Sequence, residues 1–572
     1  MEAIEVNRSA GASEVNRVPE GRFDLSFWRE DLKAGATLAP IIIAFGIGIA
    51  SISLFPLQSG LVSAVVAVVA AAFLGGSYLV LCGAAAALAP ILANLVLTLG
   101  QGDMMLGYER TLAVIVITGP IMCFIGWKRK AQHLATLCAH AVMAGVLAAI
   151  AFMLLVGRIE AFTGIKLETK GHGLLKLREF VFDGKWQGVV WPVLLTTVAT
   201  IGALILLSFL RNRSRIIKSC PPQLWAILLL LLLGLVAPLA SQYRINIPVD
   251  FWSFHRWPDF DVLAMWKDEV FFAFVKGVVT LGFVDPLETV ATLLIIDRYD
   301  KYRRKSDVNS TVAAMGVANI ISGYAGGMSN IPGGAQSSLS ERVGTVTPWA
   351  SLFAVVGVVL IVWLGRDILN LFSVAGLSAV IIFTVYPLCE PAMWRSFFKV
   401  GIDQGFIFAA TFIASILVWD ILWGIIIGVL LQVVIVLVIA FRVIKFQTDR
   451  QSFTDLMKEV WRMICNPKSK MEVSVDGLTC DIYFTGLWVF FSPVEQLLEK
   501  IPATVKTMNF HLTSELVLMD QPTIEKLLHH LYGLKGQIQV ERGLLSFLDC
   551  RDKSATRFAP YKAELKTARE VL

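Results

Sequence analysis

Apolar runs alternate with short polar breaks from about residue 33 to about residue 445. A helix that crosses a bilayer needs about 20 mostly apolar residues. On that measure the runs fall near 34–53, 57–76, 78–98, 111–127, 132–156, 187–210, 222–240, 268–296, 309–328, 333–342, 346–364, 367–387, 404–420 and 421–443, which predicts about fourteen membrane segments. Two are irregular. The run at 333–342 is too short to span, and the run at 78–98 opens in small residues that need not be helical from the start. Beyond residue 450 the period changes. Alternation at Glu472–Val475 and Asp481–Phe484, with Met508–Leu512 and Gln537–Val540, predicts strands. Pro493–Glu499, with Ser492 as N-cap, and Pro522–Leu534 read as amphipathic helices. The expected organisation is a polar tail over 1–30, a membrane domain over 31–445, a small α/β domain over 453–555 and a charged tail over 556–572. The first tail holds no apolar stretch of the signal-peptide kind, and Asp31-Leu32-Lys33 leads into the first run.

The distribution of charge orients these segments. Basic clusters at Lys128–Lys130, Arg211–Arg215, Arg298–Lys305, Arg395–Lys399 and Arg442–Lys445 follow runs four, six, eight, twelve and fourteen. Cytoplasmic loops carry the excess of Lys and Arg, so both termini are expected in the cytoplasm. The loop 157–186 opposes this: Arg158, Lys166, Lys170, Lys176, Arg178 and Lys185 follow run five, interspersed with Glu160, Glu168, Glu179 and Asp183. Composition then narrows the class. Of 572 residues, 56% are hydrophobic and 16% charged, against about 25% charged in soluble proteins. This excludes a soluble enzyme, a nucleic-acid-binding protein and a disordered scaffold. Eight cysteines show no CxxC spacing and read as buried thiols, not a disulfide framework or a metal site. Neither a Walker loop nor a voltage-sensor array of arginines occurs.

Three places hold candidate chemistry. Run eight contains Asp285-Pro286-Leu287-Glu288 and Thr292. A charge at mid-bilayer costs about 2.5–3.5 kcal/mol, so an ionisable group there faces a cavity or a partner. Glu288 and Thr292, four apart, share a helix face. Together they could ligate Na⁺ or take up a proton, with Asp285 on the same side. The alternative is that Asp285-Pro286 breaks the helix and Glu288 pairs with a neighbouring helix. The second place is Gly326-Gly327-Met328-Ser329-Asn330-Ile331-Pro332-Gly333-Gly334, followed by Ala335, Gln336, Ser337 and Ser338. Irregular backbone at membrane depth must be buried in protein or line water. A half-helix starting after it would offer free N–H groups to an anion. The third is Cys82-Gly83-Ala84-Ala85-Ala86-Ala87-Leu88-Ala89-Pro90, whose small residues would let a second half-helix approach the first. Runs three and ten are seven apart, as an inverted repeat requires. His133 and His140 in run five read as packing residues.

Taken in order, these motifs resemble the SulP family of anion transporters, which includes sulfate permeases, bicarbonate transporters and the pendrin and prestin relatives. The resemblance spans roughly residues 25–550. It rests on Asp31-Leu32-Lys33-Ala34-Gly35, Pro40–Gly46, Glu288-Thr289-Val290-Ala291-Thr292 with Asp297, Ala314–Asn319, Gly326-Gly327 and Pro332-Gly333-Gly334-Ala335. The C-terminal domain resembles a STAS domain. The resemblance implies a mainly α polytopic membrane protein of fourteen segments in a seven-plus-seven inverted repeat, with core and gate domains and a cytoplasmic STAS domain. It implies an anion held between Cys82, Gly83, Ala84 and Ala85 on one half-helix and Gly334, Ala335, Gln336 and Ser337 on the other. In the sodium-coupled branch, the positions of Glu288 and Thr292 hold the cation. That branch commonly has Asp where Glu288 stands, which leaves H⁺ open beside Na⁺. Many members carry an Arg where this chain has Gln336-Ser337-Ser338, so a small or singly charged anion is favoured. The loop Leu518–Thr523 lacks the serine that STAS regulators phosphorylate.

The expectation is therefore a secondary transporter, not an enzyme, moving bicarbonate or sulfate by alternating access with Na⁺ or H⁺. Na⁺ as co-substrate is the one cofactor-like ion expected. A homodimer in the bacterial inner membrane, with no nucleic-acid partner, is expected too. An uncoupled exchanger or channel, a dicarboxylate transporter and a membrane anion sensor remain as alternatives.

Overall fold

The computed structural model describes residues 19–447 apart from short breaks, the longest at 132–139, 211–221 and 246–255, and beyond them a set of strands. The described chain divides into two compact units, residues 1–132 with 150–387 and residues 133–149 with 388–572. Among the described residues six helices are long and apolar enough to cross a bilayer, and shorter apolar helices accompany them.

The first half of the membrane domain holds α1 (Trp28–Ile52), α2 (Leu57–Leu74), a short strand β1 (Cys82–Ala84), α3 (Ala89–Gly100), α4 (Met104–Trp127), α5 (His140–Gly157), the brief α6 (Ile159–Thr163) and α7 (Gly173–Val181), α8 (Trp191–Leu210) and α9 (Pro222–Val236). The second holds α10 (Glu269–Ile296), α11 (Val308–Tyr324), strand β2 (Asn330–Pro332), α12 (Gly334–Arg342), α13 (Trp349–Leu369), α14 (Val374–Val385), α15 (Ile402–Val418) and α16 (Ile421–Gln447). With β1–α3 and β2–α12 each taken as one broken segment, and α6 and α7 as loop helices, the described residues form seven segments plus seven.

The packing repeats between the halves. α1 lies on α12 and α13, while α10 lies on α3 and α4; α2 packs on α13, and α11 on α4. The opening segments of each half thus embrace the third and fourth segments of the other, which is what an inverted repeat dictates.

Local sequence explains several boundaries. Asp103 accepts bonds from the Met105 and Leu106 amides (2.8 and 3.3 Å) and Asp307 from those of Asn309 and Ser310 (3.0 and 3.2 Å). Each satisfies orphan donors at a helix start, as N-caps do. α4 consequently begins before the apolar run at 111. Its Arg110 is buried, donating to Asp259 (3.2 Å) and to the Leu99 carbonyl at the end of α3 (2.8 Å). α13 kinks at Gly365, so the next helix starts at Val374, later than the run at 367 suggests, with Ser373 as its cap. Asp31 lies inside α1, wholly buried, and accepts bonds from the Val346 and Thr347 amides (2.9 and 3.1 Å) and the Thr347 hydroxyl (2.6 Å). The end of the predicted N-terminal tail is also structured: Arg22 donates to the carbonyls of Ala71, Gly75 and Ser77, closing the C-terminus of α2.

The second unit contains α15 and α16, which pack together. A Cβ on Gly145 of α5 would lie 2.8 Å from the Phe408 carbonyl oxygen, so a small residue sets that contact. Its C-terminal part forms a sheet of order β3 (Lys470–Asp476), β4 (Thr479–Thr485), β6 (Thr507–Leu512), β8 (Gln537–Val540), with β5 (Leu487–Trp488) paired to β7 (Leu518–Met519). β3 and β4 are antiparallel; β4, β6 and β8 are parallel, with Ile482 opposite Phe510 and Phe510 opposite Val540. Parallel neighbours need long crossovers. The helices expected at 493–499 and 522–534, like His133 and the tail at 556–572, lie outside the described residues.

Candidate functional site

The two broken segments meet at their strands. β1 and β2 pair antiparallel, Cys82 opposite Pro332, Gly83 opposite Ile331 and Ala84 opposite Asn330, and all six residues are buried. The Gly333 amide donates to the Leu81 carbonyl (3.0 Å) and the Ala85 amide to the Ser329 carbonyl (3.1 Å). This ladder satisfies non-helical backbone that lipid could not.

On the second side the expected half-helix begins where the sequence puts it. α12 runs from Gly334, with Gly333 as N-cap in an extended conformation and no side chain capping it. Gly334 is exposed, whereas Gln336 and Ser337 are buried. Ser337 is committed to the scaffold, its hydroxyl accepting from the Leu81 amide at 3.0 Å. Gln336 reaches across: a Cβ on Gly83 would lie 3.5 Å from its Oε1.

The first side differs from expectation. Cys82, Gly83 and Ala84 are strand residues, Ala85 follows them, and the helix starts only at Ala89, with Pro90 in its first turn. The run Cys82–Ala85 therefore cannot supply the first turn of a helix. The reason is local: Pro90 suits a helix start but lacks an N–H for its interior, and the small residues before it pair with β2 instead. The Cys82 thiol is free and buried.

α10 passes beside both elements of the second broken segment, unbroken through Pro286, so Asp285-Pro286 does not end the helix. Asp285, Glu288, Thr289 and Thr292 line one side of it. At one end of this stripe Ser329 donates to Asp285 Oδ2 (2.5 Å) and Asn319 Nδ2 donates to the same oxygen (3.2 Å). At the other, a Cβ on Gly334 would lie 3.7 Å from Thr292 Cγ2, so Thr292 borders the first turn of α12. Glu288 stands between. Its Oε2 is buried without a donor, and among the described residues no Lys or Arg pairs with it. The alternative of a salt bridge to a neighbouring helix finds no support there.

The loop leading to β2 is fixed by hydroxyls. Ser63 Oγ accepts from the Met328 amide (2.5 Å), and Ser322 Oγ donates to the Met328 carbonyl (2.8 Å). Gly326 takes φ +76°, a conformation glycine adopts without strain, and its carbonyl accepts from Tyr108 Oη at 2.7 Å.

The sequence pattern gives Ser329 and Asn330 no role and shows Asn319 only within a motif; these three hold the crossing to α10 and α11. The signal available was their polarity within apolar flanks. Residues 28–411 match the sequence profile of the sulfate permease family. The chain belongs to that family. No curated protein sequence matches the chain. Among solved structures, it is similar to the transmembrane domain of a cyanobacterium bicarbonate transporter, BicA, at 18% identity and TM-score 0.60, over 71% of this chain and 99% of that one. It is also similar to SLC26A9 (14%, TM-score 0.61, 90% of this chain and 84% of that one). The murine Solute Carrier 26 family member A9 anion transporter in an inward-facing state is a further likeness (14%, TM-score 0.60, 94% and 90%). At such identities the likeness is one of fold. Sulfate permease family membership makes the chain an integral membrane protein of an anion-transporter family, built on their membrane fold.

Proposed function

We propose that the chain is a secondary transporter of a small inorganic anion, bicarbonate before sulfate, working by alternating access. The reading is carried by the uncapped first turn of α12, whose Gly334 is exposed beside the β1–β2 crossing. Free amides at a helix start attract an anion. Gly334, Ala335, Gln336 and Ser337 would frame it on one side, and Cys82, Gly83, Ala84 and Ala85 on the other. The amides of Ala335 and Gln336 belong to the first turn, and donors so placed have no intrahelical partner. With Gln336 in place of a fixed cation, backbone dipoles bear the whole attraction, which favours one negative charge over two.

Glu288 and Thr292 would couple the anion to Na⁺ or H⁺. A cation taken up at this carboxyl screens its repulsion of an anion at α12, so each ligand raises the other's affinity, as linkage requires. Both termini are assigned to the cytoplasm, the membrane to a bacterial inner membrane and the assembly to a homodimer. The decisive experiment is uptake of radiolabelled bicarbonate, sulfate, chloride and dicarboxylates into proteoliposomes, with and without Na⁺ and pH gradients. Bicarbonate uptake that follows an imposed gradient is the expected result. Exchange that runs equally well without any cation gradient overturns coupling, and no flux of any anion overturns transport.

A further inference from the structure

Away from α10 and α12, one buried positive charge has no counter-charge among the described residues. Arg158 follows the last residue of α5 and is 5% exposed. Its guanidinium makes a single hydrogen bond to the described residues, Nη1 donating to Ser51 Oγ near the end of α1 (3.2 Å). Nε is buried and has no acceptor. No described carboxylate lies within ion-pair distance of the group. Glu160, two residues on, is already committed: its carboxylate accepts from the Leu167 amide (3.0 Å) and from Lys176 Nζ (2.9 Å).

A buried carboxyl without a partner can take up a proton, but a guanidinium does not shed one. Its charge is therefore matched by a ligand or left uncompensated, and the second state is strongly disfavoured. Water would satisfy the N–H groups without supplying charge. The unused groups have a definite shape. Nε–H and one N–H of Nη2 point the same way in one plane, and such an edge fits two oxygens of a planar anion side by side. Ser51 holds Nη1, at the opposite end of the group, so it fixes the plane and leaves that edge open. Ser51 is half-buried, which puts the pair within reach of the surface. With Lys176 paired to Glu160, no second cation joins Arg158 among the described residues, so one negative charge suffices.

We propose that Arg158 binds a singly charged planar oxyanion, of the carboxylate, nitrate or bicarbonate kind, through its Nε–Nη2 edge, with Ser51 as the positioning residue. The place is distinct from the start of α12. Asp31, held to Val346 and Thr347 just past the end of α12, and Ser51 are twenty residues apart on α1, about 30 Å along a helix axis. The nine residues of α12 span less than half of that. Occupancy neutralises the guanidinium and strengthens the tie between the end of α5 and the end of α1. The inference does not rest on the transport reading.

The test is equilibrium dialysis of radioactive formate against the purified full-length protein in detergent, at constant ionic strength, with no gradient and no flux. The unsubstituted protein binds formate in a component that R158Q removes. R158K, which keeps the charge without the fork, and S51A each weaken that component about tenfold; S51T, which keeps the hydroxyl, restores it. Formate raises the melting temperature of the parent more than that of R158Q. Size-exclusion profiles check folding, and S51A with S51T carries the test if R158Q does not fold. Formate binding unchanged by R158Q and S51A overturns the site. A melting temperature lowered by R158Q to the same extent with and without formate marks a packing group and overturns it too. Chloride that displaces formate from this component at equal concentration, with R158K as good as the parent, overturns the planar fork. Arg158-dependent binding in a protein that carries no anion into vesicles leaves the site intact and refutes only the transport reading.

Discussion

At the scale of single residues, polar groups in the membrane domain fall into two kinds, those that tie segments together and those left open. Asp31, Arg110 and Ser337 are tied, each to backbone of another segment. Glu288 is open at Oε2. Glu288→Gln is therefore expected to leave folding intact while reducing gradient-driven uptake at least about tenfold, the cost of one lost coupling charge being 1.4 kcal/mol or more. Proteoliposome uptake checks this, and unchanged uptake removes Glu288 from coupling. Outside the membrane segments, Asp300 shows the opposite bias. Burial pushes its carboxyl up, but Arg304, whose Nε and backbone amide donate at 2.8 Å, outweighs burial and holds it below its ordinary value. Such a depressed carboxyl stabilises the fold fully above the ordinary carboxylate range and loses that contribution as pH falls through the lowered value. Asp300→Asn is expected to cost about 1.5–3 kcal/mol at neutral pH. The gap from the parent melting temperature should close on acidification.

Arg304 also shows where reading a basic run goes astray. The cluster 298–305 reads as headgroup-facing, and Lys301 and Lys305 are exposed. Arg304 instead turns inward, stacking on Tyr78 at 4.3 Å and donating to the Val346 carbonyl at 3.0 Å. Its neighbours in space are far off in sequence, which no local pattern reveals.

At the scale of elements, the segments and the start of α12 were legible because apolar length and the Pro332-Gly333-Gly334 break are local signals. The start of α3 was not. Small residues before Pro90 serve equally as a helix turn or as a strand, and only pairing with β2 decides. Contact between helices depends on single small residues. A Cβ on Gly316 of α11 would lie 2.6 Å from the Gly119 carbonyl oxygen, and one on Gly119 of α4 would lie 2.6 Å from that of Gly316. Backbone cannot yield as a flexible side chain can. Gly316→Ala is expected to cost about 1–3 kcal/mol or more through overpacking, read as a lower melting temperature and a smaller monodisperse fraction in detergent. A melting temperature equal to the parent's would show that the two helices slide apart freely.

At the scale of the molecule, the loop 157–186 conflicts with the orientation that five other clusters favour. Part of the conflict dissolves in the structure. Arg158 is buried, donating to Ser51 at the end of α1 (3.2 Å), and Lys176 pairs with Glu160 at 2.9 Å. Charges enlisted in protein contacts are not free to face a headgroup layer. With the termini in the cytoplasm, Lys185→Cys is expected to react with a membrane-impermeant maleimide added outside intact cells, and a cysteine at Lys128 only after permeabilisation. The reverse pattern would invert the assignment. The sheet of β3, β4, β6 and β8 matches the four strands expected from alternation, while the identity of its partners was never in the sequence of any one strand.

The three-residue ladder between β1 and β2 has a further bearing on how the chain is made. The backbone of Cys82–Ala84 is emitted by the ribosome long before Asn330–Pro332, and until the later stretch arrives its amides have nothing to bond within oil. A chain cut short before residue 330 lacks these partners for Cys82–Ala84, and is expected to be cleaved faster by protease than the full chain. The β1–β2 crossing closes only once residues 330–332 have been made, so it cannot be the seed around which the first half gathers.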